Sequence, residues 1–244
     1  MLLGVKDYMI ETKGLNAGYG KIHVLYDVDF VAKPKQITVI VGPNGSGKST
    51  LLKSIMGLTT LYSGTIKYGE HDITSVAKHE RAKIGIAYLP QLESVFTNLT
   101  VKENLTMAGY TLKEEESQDR MEVVLNFFPI IKDYLGRKAK TLSGGERQML
   151  AMAIALLRKP KVIMFDEPTA HLAPRIAFEI FGKIIELRDV LNLTIIIVEQ
   201  SARKALEVGD KAYLLVSGRT TFEGNAGDLL KNPELGKMYL GIVA

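Results

Sequence analysis

The residues that most constrain this chain are GPNGSGKST, from Gly42 to Thr50. They follow a short β-branched apolar run, Ile37-Thr38-Val39-Ile40-Val41, and lead into a stretch from Ser49 to Met56 that reads as a helix ended by Gly57. A strand that enters a glycine-rich loop of the pattern G-x-x-x-x-G-K-[ST] and leaves it as a helix is a phosphate-binding loop in its proper context. Gly42, Gly45 and Gly47, with Pro43, Asn44 and Ser46 among them, let the backbone wrap an anion closely and aim several N–H groups at it. The helix N-terminus adds partial positive charge. Lys48 is expected to reach the β- and γ-phosphates of a nucleotide, and the hydroxyl of Ser49, next to Thr50, to bind Mg²⁺.

The run before the loop does not alternate, which points to a strand buried on both faces. Similar runs recur at Val162-Ile163-Met164-Phe165, Thr194-Ile195-Ile196-Ile197-Val198 and Ala212 to Val216, with a helix from Ile176 to Leu191 between the first two. Parallel strands with helical crossovers make an α/β sheet. Two segments add strand and turn material: Gly64-Thr65-Ile66-Lys67-Tyr68-Gly69, and Ile84 to Leu89 closed by Pro90. The alternating stretch from Ile10 to Val31, with Gly18 and Gly20, predicts antiparallel strands and turns. Thr100 to Arg158 is mostly helical: Val123, Val124, Phe127 and Phe128 recur at helical spacing, Pro129 ends that stretch, and Leu150 to Leu157 is helical as well. The expected fold is one α/β domain over residues 1–244. It has a P-loop NTPase (RecA-like) core, an antiparallel β portion near the N-terminus, and a helical subdomain inserted over about residues 92–159.

Composition narrows the partners. The net charge of +4 comes from 31 Lys and Arg against 27 Asp and Glu, and the longest charge run is the acidic Glu114-Glu115-Glu116, so no nucleic-acid partner is expected. With no cysteine, disulfides and thiolate metal sites are excluded. The opening MLLGVKDYMIETKG lacks a sustained apolar segment, so no signal peptide is expected. No stretch of about 18 apolar residues occurs, so any membrane role must come through a partner.

Two further groups carry chemistry. The apolar strand Val162 to Phe165 ends in Asp166-Glu167, and ligands of open parallel sheets sit at the carboxyl ends of strands. Asp166 is therefore expected near Ser49, holding Mg²⁺ through water. Glu167 is positioned to accept a proton from, or orient, the water that attacks a γ-phosphate. LSGGERQ, Leu142 to Gln148, opens a helix: Ser143 sits at its N-cap with Glu146 three residues on, a capping box. The pair Gly144-Gly145 costs helix stability. It makes sense if a phosphate approaches the backbone there.

Taken in order, GPNGSGKS, LSGGE and an apolar-Asp-Glu strand resemble the ABC ATPase family over almost the whole chain. The resemblance implies ATP and Mg²⁺ as cofactors and two ATPase domains facing head to tail, so that Ser143, Gly144, Gly145 and Glu146 of one chain cap the γ-phosphate held by the other. It implies that Tyr19 stacks on adenine and that Gln91, after Tyr88-Leu89-Pro90, senses Mg²⁺ and the attacking water. Thr169 to Pro174 would form the loop touching the opposite subunit, where His171 is unusual. Where most members place a histidine on the γ-phosphate this chain has Gln200, which donates a hydrogen bond but cannot act as acid or base near neutral pH. That shifts the catalytic burden to Glu167. A kinase or GTPase of the same loop class would leave Ser143 to Glu146 without a purpose, and the guanine-reading N-K-x-D pattern is missing.

Val198-Glu199-Gln200-Ser201-Ala202, Gly18-Tyr19-Gly20-Lys21-Ile22 and Met238-Tyr239-Leu240-Gly241 resemble the branched-chain amino acid uptake ATPases, and the short length is similar to the LivF type. Urea and short-amide uptake ATPases share much of this pattern and stand as the alternative, beside a soluble ABC ATPase not tied to transport, such as one of cluster assembly; the long heptad run of the DNA-repair type is missing. The resemblance implies transmembrane permease subunits, a second ABC ATPase chain (identical or a paralogue) and, indirectly, a solute-binding protein as partners. It implies a peripheral place on the cytoplasmic face of the cell membrane.

Overall fold

The computed structural model describes residues 9–91, 94–110 and 112–235. Strands β1 (Ile10–Tyr19), β2 (Ile22–Ala32) and β3 (Ile37–Val41) lead into α1 (Lys48–Ile55). Next come β4 (Thr60–Tyr68), β5 (His71–Asp72), α2 (Lys78–Lys83) and β6 (Ile86–Leu89). Four helices follow without a strand of either sheet: α3 (Val101–Gly109), α4 (Glu114–Phe127), α5 (Pro129–Asp133) and α6 (Gly144–Leu157). The chain returns to the sheet with β7 (Val162–Asp166), α7 (Pro174–Leu191), β8 (Thr194–Val198), α8 (Ala202–Val208), β9 (Lys211–Val216) and β10 (Arg219–Asn225). The short helices α9 (Ala226–Leu230) and α10 (Pro233–Leu235) come last.

Strands β3, β7 and β8 are buried at every position because apolar side chains leave both faces of the sheet. Their sheet runs β10-β9-β3-β8-β7-β6, parallel from β9 to β6, with β10 antiparallel at the edge. Alternate residues feed two cores. Ile37, Val39, Val41, Ile163, Phe165, Ile195 and Ile197 join the apolar cluster shared with helices α3 to α9. Ile40, Val162, Met164, Ile196 and Val198 join a second cluster with α1 and the antiparallel sheet β2-β1-β4-β5. The sheet is the partition between them, which is why its central strands β3, β8 and β7 carry no polar face.

Element ends shift by one or two residues from the sequence expectation. Helix α1 begins at Lys48 rather than Ser49, because Gly47 takes a left-handed φ of 100° as its N-cap. Ile84 and Gly85 close α2 instead of opening β6. Pro129 does follow the end of α4, but it starts α5 in the N-terminal position where its missing N–H costs nothing. Of the expected helical stripe, Val124 and Phe128 are buried while Val123 faces solvent. The expected subdomain start at Leu92 and the motif Met238 to Gly241 lie outside the described residues, as does the whole N-terminal segment Met1 to Tyr8.

Helix α1 follows the phosphate loop, so what ends it also fixes the loop. Its last carbonyls would be orphaned in the core. Arg81, only 2% exposed, satisfies them: Nη1 donates to Ser54 O at 3.0 Å and Ile55 O at 2.7 Å. Nε donates to Val76 O and Nη2 to Thr74 O. Replacing Arg81 by Met removes the donor to Ile55 O, Val76 O and Thr74 O, while Ser54 O keeps Gly57 N, and should lower stability by about 2–3 kcal/mol. In urea titration the midpoint should fall while the slope holds.

Candidate functional site

Parallel strands converge the site at their carboxyl ends. The phosphate loop leaves β3, Asp166 ends β7 and Glu167 follows it, Gln200 follows β8, and Gln91 follows β6 by two residues. Because β8 lies between β3 and β7, and β6 flanks β7, groups far apart in sequence meet along one rim.

In the loop, Gly42, Gly45 and Gly47 all have positive φ. A Cβ on Gly42 would lie 2.0 Å from Leu215 O, so only glycine fits. The Lys48 ammonium donates to Gly42 O and Pro43 O, each at 2.9 Å. Burial pulls its pKa down, while the charges of Glu167, Asp166 and Glu199 push it back up. The hydroxyl of Ser46 is buried with no partner. The turn between β9 and β10 supports the loop from below: Gly218 N donates to Ser46 O at 2.9 Å, and Tyr26 N donates to Gly218 O at 2.8 Å.

Ser49 Oγ donates to Asp166 Oδ1 at 2.7 Å, joining residues 117 apart in sequence. Tyr88 Oη donates to Asp166 Oδ2 at 2.8 Å. Burial, helped by the Asp166 charge, raises the Tyr88 pKa far above its usual range, so it stays a neutral donor. Hydroxyl and carboxylate oxygens side by side suit Mg²⁺, which takes few protein ligands and completes its shell with water and phosphate oxygens. Gln91 Nε2 donates to Glu167 Oε2 at 3.1 Å, so the expected sensor and the expected catalytic carboxylate are in contact. Glu167 has φ 51°, a conformation rare for a non-glycine residue. Its N–H is fixed by Val198 O at 2.8 Å. Gln200, Gln91, Glu167, His171, Asn44 and Gly45 line one open cleft of about 710 Å³.

Tyr19 is 41% exposed, with Oη 3.5 Å from Thr50 Oγ1, so its ring stands beside the start of α1. Ser143 caps α6 as expected: its Oγ accepts from Glu146 N at 3.3 Å, and Glu146 Oε2 accepts from Ser143 N at 2.6 Å. The two glycines have a reason within the chain. A Cβ on Gly144 would come 2.9 Å from Leu172, and one on Gly145 2.4 Å from Ile176. These residues belong to the segment after β7, so α6 and that segment pack closely. Within this chain Ser143 and Gly144 make none of the described hydrogen bonds to the phosphate loop. His171, with φ 61°, is exposed and lines both the cleft beside Gln200 and a second one beside Gly144.

Sequence reasoning passed over Tyr88, Gly218 and Glu199. Tyr88 was visible as a hydroxyl one strand away from the Asp-Glu pair. Nothing local to Gly218 points to residue 46, since the contact arises from the return of the β9–β10 hairpin to the loop. Adding one methyl group there, Gly218→Ala, places a Cβ 1.9 Å from Val24 O at φ 77°. The strain should cost about 1–3 kcal/mol and, by shifting Ser46, weaken ADP binding about tenfold. Thermal unfolding and calorimetric titration with ADP check both.

The sequence pattern of the family described as "ABC transporter" matches residues 25–170. A probable branched-chain amino acid transport ATP-binding protein, LivF, of Archaeoglobus fulgidus is 56% identical over 235 residues, 96% of this chain and 100% of that protein. The high-affinity branched-chain amino acid transport ATP-binding protein BraG of Pseudomonas aeruginosa is 39% identical over 96% of this chain and 100% of its own length. Among solved structures, an ATP-binding cassette of an ABC transporter in its ADP conformation superposes with a TM-score of 0.84 at 28% identity, covering 94% of this chain and 97% of that one. With the pattern spanning more than half of its length and relatives aligned almost end to end, this chain belongs to the ABC transporter family, as one of its ATP-hydrolysing subunits.

Proposed function

We propose that this ATPase powers an importer of branched-chain amino acids, working at the cytoplasmic face of the membrane beneath transmembrane permease subunits. The substrate reading rests on likeness to the Archaeoglobus and Pseudomonas proteins across their whole lengths. Among the described residues no helix is long and apolar enough to cross a membrane. The solute never touches this subunit, so its side chains govern energy supply rather than choice of cargo.

The observation that carries the chemistry is the pairing of Ser49–Asp166 with Gln91–Glu167 on one rim beside Lys48. ATP would supply the phosphoryl group to be cleaved, and Mg²⁺ the positive charge that offsets its phosphate oxygens. Gly42 to Thr50 cradle the phosphates, and Tyr19 stacks on the base. Lys48 exchanges its loop carbonyls for β- and γ-oxygens. Ser49 and Asp166 would hold Mg²⁺, with Tyr88 keeping Asp166 oriented. Gln91 orients the attacking water and Glu167 takes its proton. Gln200 donates a hydrogen bond to the γ-phosphate without taking part in proton transfer.

Ser143, Gly144, Gly145 and Glu146 then serve the site of a second ATPase chain, a paralogue in the assembled transporter. A capped helix end with no described hydrogen bond to its own phosphate loop supports the trans arrangement, and the likeness to branched-chain amino acid transport proteins favours a paralogue. In a chain that keeps its size and hydrogen bonds but loses the carboxylate, Glu167→Gln, ATP should bind and drive pairing without cleavage. Size-exclusion chromatography with light scattering should show a dimer with ATP and a monomer with ADP. Adding Ser143→Arg should block the shift while leaving nucleotide bound. A Glu167→Gln chain that stays monomeric at saturating ATP, alone and with its paralogue, overturns the sandwich.

The inserted helices α3 to α6 form the subdomain that receives the permease, together with the segment at Val95 and Phe96. Phe96 is 60% exposed, yet its backbone is held on both sides by buried Asn104: Phe96 N donates to Oδ1 at 2.8 Å, and Nδ2 donates to Phe96 O at 3.0 Å. A fixed backbone presenting an exposed ring, five residues after Gln91, suits a docking contact. Phe96→Asp should cut solute uptake by the assembled transporter at least tenfold while the isolated subunit still hydrolyses ATP. Undiminished uptake would place the permease elsewhere.

A further inference from the structure

The carboxylate of Glu199 is buried, titratable and unused by the mechanism above. It lies one residue past the end of β8 and is 2% exposed. Its Oε1 accepts from Thr169 N at 3.0 Å and from Thr169 Oγ1 at 2.7 Å. Its own N–H donates to Ile40 O at 3.2 Å, at the end of β3. One side group thus ties together the segments that follow β7 and β8, at the level where the phosphate loop leaves β3.

The segment after β7 needs such a tie. Glu167 and His171 adopt φ 51° and 61°, and side-chain-bearing residues hold left-handed backbone only when their surroundings fix them. The strand ladder supplies one restraint, Glu167 N to Val198 O. Beyond it, the backbone restraints on residues 169–172 are local: Ala170 N to Glu167 O at 3.2 Å and Leu172 N to Thr169 O at 3.2 Å. These shape the turn without locating it against the sheet. Thr169, 7% exposed, is located by Glu199. On the other side, Glu199 directly precedes Gln200, whose turn is closed by Ala202 N donating to Gln200 O at 2.8 Å, so a tie from Glu199 to Thr169 also sets where that turn stands.

We propose that Glu199 is a positioning residue: it holds the loop bearing Glu167 and His171 in register with the turn bearing Gln200, so that both meet one phosphate. The proposal rests on the assignment of Glu167 and Gln200 given above. Glu199 acts through its acceptor oxygens, not through proton transfer. Burial pushes its carboxyl up from the usual range, against the pull of the Thr169 hydrogen bonds. A glutamine keeps the Oε1 acceptor, whereas leucine keeps only bulk.

The consequence is a split between chemistry and binding. Nucleotide affinity comes from the phosphate loop and Tyr19, which Glu199 does not hold in place. A displacement of about 1 Å at the reacting group costs about a hundredfold in rate. In the purified full chain, Glu199→Leu should lower kcat for ATP hydrolysis by about 10- to 100-fold. ADP affinity, by calorimetry, should stay within about twofold, a change worth only about 0.4 kcal/mol. Glu199→Gln should keep half or more of the wild-type kcat, and Thr169→Val, which removes one of the two Thr169 donors, should fall between. If Glu199→Leu does not fold, Thr169→Val and Glu199→Gln carry the same comparison. Wild-type kcat in both Glu199→Leu and Thr169→Val overturns the proposal. So does a Glu199→Gln chain as slow as the leucine variant, or an ADP affinity that falls in step with kcat. Glu167→Gln run in parallel separates the two levels. If it hydrolyses ATP like the wild type, the site assignment is wrong; if it is inactive while Glu199→Leu is unimpaired, only the role of Glu199 is.

Discussion

A loop that turns its N–H groups toward one anion cannot also pair them in a ladder, so the phosphate loop must take its rigidity from its surroundings. Each neighbour answers that need. Leu215 O presses against Gly42, Gly218 N holds Ser46 O, and Arg81 satisfies the far end of the helix the loop starts. Strand β3 enters the loop at full burial, so the loop's first residue is fixed by both cores at once.

The same sheet explains why the chemistry gathers on one rim. In a parallel order β3-β8-β7-β6, every strand ends on the same side. The residues that follow them, Ser46 to Ser49, Gln200, Glu167 and Gln91, are neighbours for that reason alone. Hydrogen bonds then convert proximity into geometry: Ser49 and Tyr88 on Asp166, Gln91 on Glu167, Thr169 on Glu199. Most of these pairs cross between strands, so a disturbance in one strand end is felt at the next. Left-handed backbone at Glu167 and His171 is sustained by that cross-bracing.

Helix α6 plays two parts that the sequence suggests only singly. Gly144 and Gly145 read as room for a phosphate, and they are also the surface against which Leu172 and Ile176 pack. The cap and the segment after β7 are therefore in contact within one chain. A movement of the loop bearing Glu167 would therefore be transmitted to the cap. Its apolar side, from Leu150 to Leu157, anchors α6 in the same cluster as the sheet.

Much was legible from local pattern. The unbroken runs at Ile37, Val162 and Thr194 announced strands buried on both faces, because a side chain on a two-sided sheet has no polar direction to point. The phosphate loop and capping box were legible because their chemistry is carried by consecutive residues. Strand β10 and helices α2, α8 and α9 were not, since their polar, half-exposed segments owe their shape to the elements they cover. By itself the sequence determined the fully buried strands, the loop, the Asp-Glu pair and the motifs of the family pattern, each of them a short-range feature. Only the tertiary structure decided that Tyr88 meets Asp166, that Gly218 supports Ser46 and that Glu199 grips Thr169. Those contacts join residues 78, 172 and 30 positions apart. They exist because strand order, which no local pattern encodes, sets which strand ends become neighbours.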